Sequence, residues 1–272
     1  MKKITLEEQK KIELDILKYT KKICDKNNLR YYLAGGTLLG AIRHQGFIPW
    51  DDDIDILMPR PDYEKFSEIM KNENNRYLLL TPEQDDYYYL FNKLVDKNTI
   101  LNEYWTNPIK NMGVYIDIFP LDGFPDDEKE YNIYADKLLK EYNDLTNSRI
   151  DGYKMAIYRW KRVVKCIIKY PLYFAKKIIP WKKRQLNLID NMKKYKYEDS
   201  KNVAFILSAY KKKEILNKKI YDDIILVQFE DEKFNAPSGY DDYLKALYGN
   251  YMELPPIEKR KTHHFFDAYW KD

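Results

Sequence analysis

The fold is decided by residues 31–59, which read YYLAGGTLLGAIRHQGFIPWDDDIDILMP. Residues 31–34 predict a short strand, Gly35 and Gly36 predict a turn, and the residues after them predict a helix with Thr37 as a candidate N-cap. Residues 53–58 predict a second strand, which starts with acidic residues and continues with apolar ones. This segment therefore brings a glycine turn, a helix start and a set of carboxylates close together in the sequence.

The glycine pair is suited to a close approach to an anion. Between a strand and a helix, backbone N–H groups and the helix N-terminus can cradle a phosphate, and glycine has no Cβ to obstruct it. A Gly-Gly pair alone is weak evidence. Here Gly36 is followed 17 residues later by Asp53, the first acid of an Asp-Ile-Asp sequence. That combination strengthens the prediction of a phosphate site at Gly35 and Gly36.

Carboxylates dominate the end of the same segment. Asp51, Asp53 and Asp55 alternate, and residues two apart on a strand share a face, so their oxygens can converge on one hard cation. Taken alone, the run also fits a solvated acidic turn. A calcium loop of the EF-hand type is disfavoured because Ile56 stands where that loop needs glycine. Asp117 adds an acid inside an otherwise apolar strand, where an unpaired charge would be costly. Three carboxylates can hold one or two Mg²⁺ ions.

Helices and strands are mixed around this segment. Thr5 and Glu8 have the spacing of a capping box and begin a helix that ends at residues 27–28. Further strands are predicted at residues 77–80, 88–95, 114–119, 202–207 and 224–229, and further helices begin near residues 61 and 126 and span 240–247. We predict an α+β fold with a catalytic core at 1–125, a basic helical region at 126–200, and a C-terminal segment at 201–272 that completes the catalytic domain.

The charge is unevenly distributed along a chain of otherwise globular composition. Hydrophobic residues make up 44% and charged residues 33%, which does not indicate disorder. The net charge of +4 conceals a basic middle, because residues 154–196 contain fourteen Lys or Arg and one acid. Its apolar residues recur at helical spacing. Two interpretations remain open: docking on an anionic membrane surface, and a core helix with a solvated basic face.

Cysteine usage and hydropathy predict a cytoplasmic protein. Cys24 and Cys166 lie far apart and form no Cys-x-x-Cys pair, which disfavours a disulfide framework and a structural zinc site. Apolar runs are too short to span a bilayer, and the N-terminus has no apolar region of the signal-peptide kind. Attachment to the inner face of the cytoplasmic membrane would then be peripheral.

Residues 34–55, AGGTLLGAIRHQGFIPWDDDID, resemble the signature of the LicD family. This family comprises bacterial phosphocholine transferases and their relatives, which are similar in turn to fukutin and fukutin-related protein. Residues 117–122, DIFPLD, are similar to the family's second block. Residues 248–264, from YGNYM through PP to HH, are similar to its closing block. The resemblance covers most of residues 30–125 and 225–265 and leaves out the basic middle.

The resemblance implies both a fold and a reaction. The fold would be a nucleotidyltransferase-like mixed β-sheet core with flanking helices, here carrying a basic helical insertion. The donor would be a CDP-linked alcohol, typically CDP-choline, and the acceptor a sugar hydroxyl of a surface glycan or its lipid-linked precursor, such as teichoic acid, capsule polysaccharide or lipopolysaccharide. The hydroxyl would attack the phosphate on the alcohol side, and CMP would leave.

The resemblance also implies roles for the acids. Asp53 and Asp55 would be the first ligands of Mg²⁺, with Mn²⁺ as an alternative ion. Asp117 would complete the metal and catalytic site, either as a ligand or as the base that receives the acceptor proton. Asp51 would be a neighbour that orients the ligands.

Substrate contacts are predicted less directly. Gly35, Gly36 and Thr37 would hold phosphate, and Arg43 would either clamp a diphosphate or form a surface salt bridge. Lys93 is a candidate to neutralise phosphate charge. His263 and His264 fall in the closing block and are expected near the active site; without a third soft ligand they do not predict zinc.

Rival functions are disfavoured by the same pattern. A nucleotide-sugar glycosyltransferase would need a Rossmann-like series of strands and helices before its Asp-x-Asp, whereas here only a short strand and the glycine pair precede the acids. A non-catalytic glycan-binding or membrane-binding protein would not need all three carboxylates. Because no RNA-binding module is recognisable, no nucleic-acid partner is predicted.

Overall fold

A computed structural model describes residues 1–73, 75–103, 107–148, 180–260, 262 and 266–272. The described residues form an α+β fold, as predicted. The strands are β1 (Tyr32–Leu33), β2 (Asp55–Pro59), β3 (Tyr77–Leu80), β4 (Asn92–Asp96), β5 (Thr99–Glu103), β6 (Tyr115–Phe124), β7 (Asn202–Ala204), β8 (Leu216–Asn217), β9 (Ile224–Phe229), β10 (Glu232–Pro237) and β11 (Phe266–Trp270). The α-helices are α1 (Leu6–Asn27), α2 (Gly35–His44), α3 (Arg60–Lys71), α4 (Glu128–Asn147), α5 (Trp181–Met192) and α6 (Tyr240–Tyr248).

The main sheet is mixed and has the order β1-β2-β6-β4-β3, with β7 joining the far end of β6 and β8 joining β7. The central pair, β2 and β6, is parallel, whereas β1, β4 and β7 pair antiparallel to their neighbours. The register places Asp55 of β2 opposite Asp117 of β6, and Lys93 of β4 opposite the same Asp117. The pairing of the central strands thus collects two of the predicted site acids and one lysine at one place in the sheet.

The first helix begins and ends as its sequence predicts. The Thr5 hydroxyl accepts a hydrogen bond from the Glu8 N–H at 3.2 Å, and the Glu8 carboxylate accepts one from the Thr5 N–H at 3.0 Å. Asn28 follows the helix in the left-handed conformation, with φ of 52°. The buried face of α1, which includes Ile16 and Leu17, packs against β4 and β6. This helix therefore forms the layer beneath the centre of the sheet.

Two short antiparallel pairs complete the strands. β9 and β10 form a hairpin, and β5 pairs with β11 near the C-terminus. Lys218–Tyr221 and Lys211–Glu214 are short 3₁₀ helices, as is Ile257–Lys259. Within the described ranges, each helix is too short or too polar to cross a membrane.

Several element boundaries differ from the sequence prediction. The second helix begins at Gly35 with Ala34 as its N-cap, so Thr37 lies inside the helix and the prediction that it caps the helix was wrong. β2 begins at Asp55 and leaves Asp53 in the loop before it. Residues 88–91 are not part of β4. The strand predicted at 114–119 continues to Phe124, and both of its faces are largely buried.

The predicted division into three segments stays a prediction. β7 lies in the third segment and pairs with β6 of the first, which agrees with a C-terminal segment that completes the core. Asp127 caps α4 by accepting hydrogen bonds from the N–H groups of Lys129 and Glu130, both at 3.0 Å. Most of the basic middle, residues 154–179, lies outside the described residues.

Candidate active site

A pocket of about 760 Å³ opens beside the predicted glycine turn. One wall is built from the start of α2 and from the loop before β2, and it contributes Gly35, Gly36, Asp51, Asp53 and Asp55. The opposite wall comes from the loop before the first 3₁₀ helix and from the residues that follow α6. It contributes Tyr210, Tyr248, Asn250, Tyr251, Glu253, Leu254, Pro255, Pro256 and Lys259. The pocket therefore has an acidic wall facing a mainly aromatic and apolar one.

The two glycines let the carboxylates lie directly against the helix start. Gly35 has φ of +49°, a conformation that side chains rarely adopt. A Cβ on Gly36 would lie 2.5 Å from the Asp51 Oδ2, and one on Gly35 would lie 3.2 Å from the Asp55 Oδ2. Any larger residue at Gly36 would displace Asp51. The glycine pair is thus explained by close packing with acids as well as by the predicted phosphate contact.

Thr37 and the end of β1 fix the position of Asp55. The Thr37 hydroxyl accepts a hydrogen bond from the Asp55 N–H at 2.8 Å, and the Asp55 carbonyl accepts one from the Ala34 N–H at 3.0 Å. Thr37 is buried and does not line the pocket. Its hydroxyl therefore serves the backbone of a site acid, while its predicted phosphate contact stays a prediction.

The carboxylates are crowded. One oxygen or more from each of Asp51, Asp52 and Asp53 lies within 4.8 Å of the others. Burial and the neighbouring charge of Asp53, together with a hydrogen bond to Asp53, raise the pKa of Asp51 to about 7. Burial, followed by the charges of Asp53, Asp117 and Asp51, raises the pKa of Asp55 well above its ordinary value. All four predicted acids thus act on one another electrostatically.

Lys93 lies beneath this cluster and is almost completely buried. Its ammonium donates a hydrogen bond to the Asp117 Oδ1 at 2.6 Å and lies 3.5 Å from the centre of the Tyr115 ring. The side chain is 1% exposed and does not line the pocket. The positive charge of Lys93 lowers the pKa of Asp55 and so offsets part of the rise. This geometry favours a role of Lys93 as the ion-pair partner of Asp117 over a direct contact with phosphate.

Arg43 lines the pocket, and its guanidinium also binds the backbone of the opposite wall. Its Nη1 donates hydrogen bonds to the backbone carbonyls of Tyr251 at 2.7 Å and Glu253 at 3.3 Å. These partners are backbone carbonyls and not the carboxylate of the surface salt bridge that was the alternative, while the predicted contact with a diphosphate stays a prediction. Arg43 ties the closing segment to α2 and still borders the cavity. His263 and His264 lie outside the described residues, so their predicted place near the site is unchanged.

Sequence reasoning missed four residues that shape the pocket. The Tyr243 hydroxyl accepts a hydrogen bond from the Gly35 N–H at 3.1 Å and so supports the helix start. Tyr210 and Tyr248, whose ring centres lie 5.2 Å apart, form part of the second wall, and Lys259 brings a cation to it. Tyr248 and Lys259 lie within the closing block, which was the available signal. Tyr210 follows no recognisable motif.

The donor set fits a hard divalent cation. Carboxylate oxygens are the ligands that Mg²⁺ prefers. Burial and then mutual repulsion raise the pKa values of Asp51 and Asp55, and a bound cation would relieve the repulsion. The predicted ligands are Asp53, Asp55 and Asp117. Among the described residues, the three acids whose ligand oxygens all lie within 4.8 Å of one another are instead Asp51, Asp52 and Asp53. Both sets share Asp53, which makes it the central residue of either arrangement.

We expect Mg²⁺ to raise the melting temperature more at about pH 8 than at about pH 6. Asp51 has an ordinary pKa of 3.8 and a pKa of about 7 in the folded protein. Between these values the folded state keeps a proton that the unfolded state has lost, so stability of the metal-free protein falls as the pH rises through that window. A bound cation offsets this loss only where the carboxylates are ionised. Thermal melts with EDTA or Mg²⁺ at both pH values would measure the difference.

Glu214 provides the control for this experiment. Burial raises its pKa to about 7 as well, but it does not line the pocket. Glu214→Gln should therefore reduce the pH dependence of the metal-free protein and leave the gain from Mg²⁺ unchanged. An equal gain from Mg²⁺ at both pH values would contradict the assignment of Asp51 to the cation site.

Comparison with known proteins gives a consistent picture. A family model described as LicD/FKTN/FKRP, nucleotidyltransferase domain, matches residues 28–149. The lipopolysaccharide cholinephosphotransferase LicD of Haemophilus influenzae is 33% identical over 274 residues, which cover 99% of each chain. The ribitol 5-phosphate transferase FKRP of Mus musculus is 26% identical over 103 residues, 38% of this chain and 19% of that protein. Similarity along nearly the whole length shows that this chain belongs to the LicD/FKTN/FKRP family.

Proposed function

We propose that this protein transfers a phosphoalcohol from a CDP-alcohol to a sugar hydroxyl of a cell-surface glycan or its lipid-linked precursor, with phosphocholine from CDP-choline as the first candidate. The observation that carries the proposal is the pocket in which a glycine-pair helix start, three aspartates and an aromatic wall meet. Two relatives support it by their names, one a cholinephosphotransferase of lipopolysaccharide and one a ribitol 5-phosphate transferase. Both names describe transfer of an alcohol phosphate.

The reaction would exchange one phosphate ester for another. The acceptor hydroxyl oxygen forms a bond to the phosphorus next to the alcohol, and the bond between that phosphorus and the oxygen bridging to CMP breaks. CMP leaves with the electron pair. The hydroxyl proton passes to a base, for which Asp117 is the candidate if it is not a metal ligand. Such transfers depend mainly on positioning and on electrostatic stabilisation of the phosphate oxygens.

The chain supplies distinct groups for these tasks. Gly35 and Gly36 at the start of α2 line the pocket, and backbone N–H groups of this first turn would bind phosphate oxygens. A Mg²⁺ ion held by Asp53, Asp55 and Asp117 would neutralise phosphate charge and polarise the acceptor hydroxyl. The second wall, with Tyr210 and Tyr248, offers ring faces of the kind that bind quaternary ammonium groups and bases, and Trp50 lines the pocket beside the acids.

The test is CMP release from CDP-choline, CDP-ribitol and CDP-glycerol, each with Mg²⁺ or EDTA. Parallel reactions would contain or lack a membrane extract with glycan precursors. We expect metal-dependent release from one CDP-alcohol that increases when the extract is added. The Asp53→Asn variant would serve as the inactive control. Turnover of a nucleotide sugar, without CMP release from any CDP-alcohol, would overturn the proposal and favour a glycosyltransferase.

A further inference from the structure

The buried face of α1 carries two polar residues that the core does not require. The apolar residues of this face include Ile12, Ile16 and Leu17, as expected for a helix beneath a sheet. Gln9 and Glu13 lie one turn apart on the same face and are only 6% and 2% exposed. Glutamate is almost never fully buried unless it has a partner. Glu13 therefore costs the fold stability, and packing alone does not explain its place in α1.

Glu13 is only half satisfied by hydrogen bonds. Its Oε1 accepts a hydrogen bond from the Gln9 amide at 2.8 Å. Its Oε2 is buried and has no hydrogen-bond partner among the residues that the structure describes. A buried carboxylate oxygen without a partner has lost its hydration, and no contact within the chain replaces it. This oxygen is an acceptor that a group bound at a neighbouring site can satisfy.

The Gln9 amide joins Glu13 to the acidic loop of the pocket. The same Nε2 that binds Glu13 donates a second hydrogen bond to the Asp52 carbonyl at 2.8 Å. Lys10, the next residue of α1, donates from its Nζ to the Ile48 carbonyl at 3.4 Å. These α1 residues do not line the pocket. The N-terminal half of α1 thus supports the acidic loop from outside the cavity.

Charge connects Glu13 to the predicted cation site. The acid whose charge acts most strongly on Glu13 is Asp53, followed by Asp52, and the positive charge of Lys10 has a smaller effect than either. Asp53 is also the acid that both candidate ligand sets share. Among the described residues, the acids whose ligand oxygens all lie within 4.8 Å of one another are Asp51, Asp52 and Asp53, and Glu13 is not one of them. Glu13 is therefore a neighbour of this cluster and not a direct ligand within it.

We propose that Glu13 is a positioning residue of the cation site, where its carboxylate acts on the ion held at Asp53 without being a direct ligand. Mg²⁺ usually keeps several bound waters, and carboxylates beyond the direct ligands accept hydrogen bonds from such groups and so raise the affinity for the metal. The Oε2 of Glu13 is suited to that contact, and the charge of the ion would offset the charge of Glu13. The inference rests on the cation site of the proposed function. Glu13 precedes residues 28–149 and so lies outside the part of the chain that the family model matches.

The experiment compares Glu13→Gln with Glu214→Gln in the full chain. Glutamine keeps the size of the side chain and can still accept the hydrogen bond from Gln9, but it removes the negative charge. Glu214 is the matched control because it is also a buried glutamate, at 7% exposed, and does not line the pocket. The affinity for Mn²⁺ would be measured from the electron paramagnetic resonance signal of the free ion. The melting temperature would be measured in EDTA.

We expect Glu13→Gln to weaken Mn²⁺ binding roughly tenfold or more. Its melting temperature in EDTA should be no lower than that of the unaltered chain, because the substitution removes a buried charge beside two aspartates. Glu214→Gln should bind Mn²⁺ like the unaltered chain. A purely structural role of Glu13 would have the opposite signature, a lower melting temperature in EDTA with unchanged affinity. Unchanged Mn²⁺ affinity of Glu13→Gln, equal losses in both variants, or a lower melting temperature of Glu13→Gln in EDTA would overturn the proposal.

Metal binding and CMP release are measured separately, so this proposal and the proposed function can fail separately. If Glu13→Gln weakens Mn²⁺ binding but no CDP-alcohol releases CMP, the proposed function is contradicted and the role of Glu13 stands. If CMP release depends on Mg²⁺ while Glu13→Gln binds Mn²⁺ normally, the role of Glu13 is contradicted and the proposed function stands. An unaltered chain that binds no divalent cation would contradict both.

Discussion

Asp53→Asn is expected to lower the rate of phosphoalcohol transfer roughly a thousandfold or more, equivalent to about 4 kcal/mol of transition-state stabilisation. The substitution keeps the size of the side chain and removes the negative charge that a divalent cation requires. Asp53 is the one acid shared by the predicted ligand set and by the closest carboxylate cluster. The rate of CMP release at saturating Mg²⁺ would measure the effect, with thermal melts to verify that the variant is folded.

Asp52→Asn and Asp55→Asn distinguish the two arrangements of ligands. If the cation is held by Asp53, Asp55 and Asp117, Asp55→Asn should lower the rate of CMP release nearly as much as Asp53→Asn. Asp52→Asn should then lower that rate by less than about tenfold. The opposite order would assign the ion to the Asp51–Asp53 cluster. Near-normal rates for Asp53→Asn would show that the catalytic site lies elsewhere. Asp126→Asn, on the surface, controls for the loss of one negative charge.

Lys93→Met should destabilise the metal-free protein by about 3 kcal/mol or more, because it leaves Asp117 buried without its cation. The pair is joined at 2.6 Å, and both residues are almost completely buried. Denaturant unfolding in EDTA would measure the loss. Mg²⁺ should restore part of it, since a bound cation supplies the missing positive charge. Asp117→Ala should unfold more readily than Asp117→Asn, since alanine cannot accept a hydrogen bond from Lys93.

Two comparisons make this prediction specific. The double variant Lys93→Met with Asp117→Asn should lose clearly less than the sum of the single losses, because neither charge is then left unpaired. Lys11→Met breaks an exposed pair with Glu7 on α1 and should leave the free energy of unfolding nearly unchanged, because water screens such pairs. Strict additivity in the double variant would mean that Lys93 and Asp117 do not depend on each other.

The parts of the fold that depend on local signals were predictable from the sequence. Three signals that act within one turn of the chain were confirmed. They are the capping box of Thr5 and Glu8, the proline at the start of α3 and the glycine after α6. The sequence predicted that α2 starts after Thr37, because threonine is a strong capping residue. The helix instead starts at Gly35, whose N–H is satisfied by Tyr243, a partner 208 residues away.

Contacts between distant segments also explain the other differences. β5 and β11 were not predicted, because each is a short run that becomes a strand by pairing with the other across most of the chain. The acids of the site were visible as a pattern, since alternation on a strand follows from backbone geometry. The place of Lys259 in the pocket was not visible, because it depends on how the closing segment packs against α2. Arg43 holds that segment through backbone carbonyls, which any residue would provide. Tyr210 reaches the pocket from a separate loop that carries no motif.

The two walls of the pocket come from distant parts of the sequence. The acidic wall is complete once residue 55 has been synthesised, whereas the closing wall extends to Lys259. On the ribosome, a growing chain therefore carries the carboxylates of the acidic wall long before it has the aromatic wall. A chain that ends before this segment can offer acids to a cation but has no enclosed pocket for a nucleotide, so any activity that needs both walls begins only after Lys259 has been synthesised.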